Sequence, residues 1–172
     1  MKIVAVIQAR MGATRLPNKM MLHLHGYPIC EWVFRRVSSA KHIDNVIFAL
    51  PDTPHDYLLD NFLNSIGANT FRGSETDLVS RVIKASKKTS ADHVVRICAD
   101  NPLICDSEID RLVEYYNHEN CHYAYNHIPK NNCYPDGMGA EICSMKLLEE
   151  INKKAIIAEH REHLFNYVWD NN

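Results

Sequence analysis

The sequence contains no apolar run approaching the ~20 residues needed to cross a bilayer as a helix, so a membrane span is not expected. It also lacks a basic excess. Its 19 lysines and arginines face 21 aspartates and glutamates, for a formal net charge of −2. A general nucleic-acid binder needs a positive surface, so that class is not expected, and any anion site must be local. None of the six cysteines (Cys30, Cys98, Cys105, Cys121, Cys133, Cys143) forms a CxxC pair. They read as free thiols of a cytosolic protein rather than a disulfide frame. The first residues, MKIVAVIQAR, are apolar too briefly and charged too soon for a signal peptide, which again points to the cytoplasm. Both the G-x-x-x-x-G-K-[ST] loop and the G-x-G-x-x-G turn are missing, which argues against a P-loop and a dinucleotide cofactor. The ten histidines are numerous. Neither His23 with His25 nor His160 with His163 belongs to the closed set of Cys and His that a zinc site requires, and they read as surface or half-buried residues.

What is present is ordinary globular material: 172 residues, 46% hydrophobic and 23% charged, enough for one domain spanning 1–172. Residues 2–8, KIVAVIQ, form a β-branched run that suits a strand buried on both faces. Similar runs at 45–50, 69–73 and 92–99 alternate with helical patterns at 29–41, 54–67, 78–88 and 107–119. Pro28 is placed to start the first helix and Gly67 to end the second, while Ser74 and Asp77 make a capping pattern before the third. An alternating stretch at 121–126 is followed by a polar loop at 127–139 and a strand at 140–144. Helices are expected over 145–154 and 155–169. Repeated strand–helix alternation predicts an α/β domain with a mostly parallel sheet and right-handed crossovers. Ligands of such sheets bind at the carboxyl ends of the strands.

Two features fall at those ends. The first is the loop QARMGATRLPNK at 8–19, directly behind the first strand. Arg10, Arg15 and Lys19 crowd three positive charges into ten residues, and Gly12 lets the backbone approach a ligand or take a positive φ. Backbone amides after a strand can form an anion nest, and arginine forks match phosphate oxygens. A polyphosphate between these cations would relieve their repulsion. The alternative is a solvated basic loop with ion-pair partners elsewhere. The second feature is Asp100, at the end of the fourth strand, readable as a metal ligand or as a cap of the next helix. Asp106 and Ser107 are better placed for that cap.

The stretch VIQARMGATRLPNK resembles the signature loop of the sugar-activating cytidylyltransferases, whose pattern in the spore coat polysaccharide biosynthesis protein F group is IQARMGSTRLPGK. It is more distantly similar to 3-deoxy-manno-octulosonate (KDO) and acylneuraminate cytidylyltransferases. Ala13 replaces the usual serine and Asn18 the usual glycine. Later blocks resemble the same family in order: GSETDLVSR at 73–81, RICADNPLICDSEID at 96–110, YPDGMGAEICSMKLLEE at 134–150, and REH at 161–163.

The resemblance implies a three-layer, Rossmann-like nucleotidyltransferase fold and transfer of CMP from CTP to a sugar acid with release of pyrophosphate, in cell-surface or spore-coat polysaccharide biosynthesis. It implies that Arg10, Arg15 and Lys19 hold the triphosphate, with Ala9, Met11, Gly12, Ala13, Thr14 and Ser74 around the nucleotide. It assigns Mg²⁺ to Asp100 and the sugar to Arg96, Asp136 and Glu141. Arg161 and His163 bind the sugar or pack at a contact between copies, and a homodimer is implied. Related enzymes extend past the position of Asn172 with a further strand-and-turn segment. The other readings of the residues are a glycosyltransferase of related fold, against which the missing D-x-D weighs, and a nucleotide-binding protein without turnover. Arg72 and Arg81 read as surface or salt-bridge residues, and Arg96 has an ion pair with a neighbouring carboxylate as its alternative.

Overall fold

The computed structural model describes residues 1–13, 15–126, 134–135 and 137–171. The β-branched run becomes β1 (Ile3–Gln8), whose first five residues are all buried. A short antiparallel ribbon follows, β2 (His23–Leu24) and β3 (Tyr27–Pro28). Pro28 then stands at the N-cap of α1 (Ile29–Ser38). The chain continues through β4 (Asn45–Pro51), α2 (Tyr57–Ser65), β5 (Asn69–Gly73) and α3 (Leu78–Lys88). Gly67, with φ of 81°, turns the chain out of α2 as a left-handed glycine does. Next come β6 (His93–Cys98), α4 (Asp106–Glu119), β7 (Tyr123–Tyr125), β8 (Glu141–Ser144) and α5 (Met145–Lys154). Two short helices close it, α6 (Ala158–Glu162) and α7 (Asn166–Asp170).

The six-stranded sheet has the order β5-β4-β1-β6-β8-β7. Its first four strands are mutually parallel, and β8 runs antiparallel to both β6 and β7. The alternating side chains of β1 feed two cores. Ile3, Ala5 and Ile7 pack with α1, α2 and α4 on one face, while Val4 and Val6 pack with α3, α5 and Leu164–Phe165 on the other. The result is three layers, helix–sheet–helix.

Three local expectations change. The helical stretch at 155–169 breaks, because His163 is extended (φ −116°, ψ 105°), and Leu164 and Phe165 both turn into the core. The cap of α3 is Asp77, which accepts the Ser80 N–H at 2.8 Å, while Ser74 Oγ accepts the Asp77 N–H one turn earlier. Cys105, and neither Asp106 nor Ser107, occupies the N-cap of α4. No helix among the described residues is long and apolar enough to cross a membrane.

Candidate active site

β1 and β6 lie side by side and parallel, so the loop after β1 and the turn after β6 emerge together at the carboxyl edge of the sheet. That placement brings residues 81 positions apart into contact: Lys19 Nζ forms an ion pair with Asp100 Oδ2. They sit in a cleft of about 330 Å³. Gln8, Ala9, Arg10, Ala13, Arg15 and Lys19 form one side, Glu75, Thr76, Leu78 and Arg81 another, and Cys98, Asp100, Glu162 and His163 complete it.

The loop is anchored from within. Met11 turns its side chain into the core, 2% exposed, and its N–H donates to Asp56 Oδ1 at 2.8 Å. Asp56 is itself buried, and its other oxygen accepts from Thr53 Oγ1 at 2.6 Å. Farther on, Asn18 adopts the left-handed conformation (φ 56°, ψ 22°), and Met20 is buried just after it. Arg10, just before the first anchor, and Arg15, between the two, stay exposed. Gly12 does not have a positive φ, and a Cβ there meets no protein atom within 4 Å. Its backbone is therefore open to approach from outside.

Ser74 is exposed and supplies its hydroxyl to Asp77 and its carbonyl to Arg81, while its neighbours Glu75 and Thr76 line the cleft. Arg81, expected as a surface or salt-bridge residue, is 5% exposed and reaches into the cleft without forming an ion pair among the described residues. Cys98 ends β6 at the cleft wall, and burial pushes its thiol up despite the neighbouring Arg96 charge.

Arg96 and Glu141 face a second cleft of about 370 Å³, with Phe165, Trp169 and Asp170. They pair with each other at 2.9 Å, and Arg96 Nε donates to Gln8 Oε1 at 3.0 Å. Tyr123 Oη donates to Glu141 Oε1 at 2.7 Å and accepts from Trp169 Nε1 at 2.9 Å. His163 lines both clefts and Gln8 the first, so the two spaces adjoin. Arg161 turns away to Asp77 and Asn152, tying α6 to the start of α3. Thr14 and Asp136 lie outside the described residues.

Asp56 and Arg81 are the residues that sequence reading misses. Asp56 carries no motif, and Arg81 sits within a block whose pattern leaves its direction open. For a metal, the described residues hold no group of three or more His, Cys, Asp or Glu side chains. The exposed Asp100 carboxylate beside the cationic loop still fits Mg²⁺, which takes one or two carboxylates and completes its shell with phosphate oxygens and water.

The arrangement has counterparts. The cytidylyltransferase family profile matches residues 4–159. An uncharacterized protein of Methanocaldococcus jannaschii is 37% identical over 171 residues, covering 99% of this chain and 68% of that protein. The spore coat polysaccharide biosynthesis protein SpsF of Bacillus subtilis is 28% identical, covering 96% of this chain and 69% of its own length. A cytidylyltransferase structure from Leptospira borgpetersenii superposes with a TM-score of 0.92 at 32% identity, covering 99% of this chain and 72% of that one. CMP:2-keto-3-deoxy-manno-octonic acid synthetase, solved with CTP, shares the fold with a TM-score of 0.76 at 16% identity, over 99% and 86% of the two chains. With that profile covering most of its length and the loop and Asp100 meeting in one cleft, the chain belongs to the cytidylyltransferase family.

Proposed function

We propose that this chain, as one nucleotidyltransferase domain, transfers CMP from CTP to a sugar acid and releases pyrophosphate, in the building of a surface polysaccharide. The observation that carries the reading is the cationic loop after β1 facing Asp100 after β6 across one cleft, with a second cleft adjoining it. In this reading Arg10, Arg15 and Lys19 bind the triphosphate and neutralise the charge that develops on departing pyrophosphate. The Lys19–Asp100 pair holds both side chains at the cleft until phosphate offers Lys19 another anion. Asp100 would hold Mg²⁺, which when bound supplies Lewis-acid polarisation of phosphate oxygens. The second cleft is assigned to the acceptor, with Arg96 and Glu141 in its wall and Trp169 offering an apolar face to a sugar ring. An acceptor hydroxyl there would meet the α-phosphate near His163, where the clefts join. Catalysis then consists largely of positioning two substrates, with no protein nucleophile. A homodimer belongs to the same reading and rests on family resemblance.

Incubation with CTP, Mg²⁺ and a panel of sugar acids should release pyrophosphate for at least one acceptor. Asp100→Asn should abolish that release while leaving the thermal melt in place. CTP binding without pyrophosphate would leave a binding protein, and nucleoside diphosphate released from a nucleotide sugar would indicate a glycosyltransferase. Persistent turnover by Asp100→Asn would remove the metal assignment.

A further inference from the structure

Arg81 is a buried cation that makes no direct ion pair among the described residues. Its stem passes over the end of β5, where a Cβ on Gly73 would lie 3.3 Å from Arg81 Cγ and 2.8 Å from the Phe71 ring. Glycine at 73 therefore leaves the groove through which Arg81 reaches the cleft. Nη1 donates to the carbonyl oxygens of Ser74 and Glu75, the latter at 3.2 Å. Nε is buried and donates to nothing. Among the described residues Nη2 makes no hydrogen bond, and no carboxylate lies within the 4.0 Å of an ion pair.

A buried charge is costly unless something of opposite sign pairs with it. Burial lowers the pKa of Arg81, and the charge of Arg10 lowers it further, while Asp56, Asp77 and Glu75 each raise it by less. The two arginines thus oppose each other in one cleft. Two other arginines with an unpartnered Nε differ in kind. Arg36 lies over the Trp32 ring, and Arg72 pairs with Asp52 at 2.8 Å and lies over Tyr57. Neither lines the cleft. A neutral base would leave the Arg10–Arg81 repulsion in place, whereas a phosphate chain between them removes it and gives the guanidinium its missing acceptors.

We propose that Arg81 is a fourth cation of the phosphate site, tethered by the Ser74 and Glu75 carbonyls and offering its Nη2 donors across the cleft from Arg10 to the phosphates of CTP. The inference rests on the reading that this cleft takes CTP. The turn at 74–76 then has a role of its own, because its carbonyls aim the guanidinium.

Calorimetric titration of the wild type, Arg81→Gln and Arg81→Lys with CTP, CMP and cytidine tests it, with circular dichroism melts confirming that each variant is folded. Arg81→Gln should weaken CTP binding by about 10- to 100-fold, CMP by less, and cytidine not at all, as the loss of a charged hydrogen bond to phosphate requires. Arg81→Lys should recover part of the CTP affinity. Should Arg81→Gln not fold, Arg81→Met, which keeps the apolar stem over Gly73, takes its place. Equal losses for CTP and cytidine would make Arg81 a contact to the base or a brace for the turn, and no loss would make it structural; either overturns the proposal. Failure of the wild type itself to bind CTP would overturn the reading of the whole cleft, and the inference with it.

Discussion

Asn18 stands where the resembled loop pattern carries glycine, and its backbone explains both choices. At φ 56° and ψ 22° it sits in the left-handed region, which glycine enters freely and asparagine more readily than other side chains. The departure from the pattern therefore preserves the bend that carries the chain from Arg15 to Lys19. Asn18→Gly should keep stability and CTP affinity near the wild-type values. Asn18→Val should cost about 1–2 kcal/mol, the scale of forcing a side chain into that region. Urea denaturation and CTP titration on the same samples check both. A Val variant as stable as the wild type would mean that the bend is not held in this conformation.

At the scale of elements, the loop depends on a segment that enters the sequence much later. Asp56 precedes α2, and its carboxylate takes the Met11 N–H from 45 positions away. Asp56→Ala would leave that buried donor without an acceptor, at a cost of about 1–3 kcal/mol. Because the donor belongs to the loop, the KM for CTP should rise as well, so steady-state kinetics and urea denaturation together test the role. A stability loss with unchanged KM would make Asp56 part of the fold alone. This dependence also marks the reach of sequence reading. β1, the cations behind it and Asp100 were legible because strand, loop and charge are contiguous signals. Asp56 and the inward course of Arg81 were not, because each is decided by atoms of another element: the Met11 amide in one case, the bare Gly73 backbone in the other. The break at His163 was hidden for a related reason. The pattern at 155–169 suits a helix, but Leu164 and Phe165 gain more by entering the core beside α3 and α5.

Across the whole molecule, one polar chain joins the first strand to the last helix. It runs Gln8–Arg96–Glu141–Tyr123–Trp169, from β1 through β6, β8 and β7 to α7. Glu141 is buried and the Arg96 side chain is 15% exposed, so water does little to screen the pair. Burial, and then Glu141, push the Tyr123 hydroxyl well up, which keeps it a donor to that carboxylate. Removing one charge from such a pair strands the other, so Glu141→Leu or Arg96→Met should each cost about 3–5 kcal/mol. The Arg96→Met/Glu141→Leu double variant should lose clearly less than the sum, since neither charge is left alone. Denaturation followed by Trp169 fluorescence in a Trp32→Phe background measures the cycle and reports from the far end of the chain. Additive losses would show that the pair is not coupled. The same side chains form the wall of the second cleft, so the double variant, folded but without its charges, should also lose turnover with any sugar acid while binding CTP as before. Retained turnover would separate the brace that holds β8 to the parallel strands from the acceptor site.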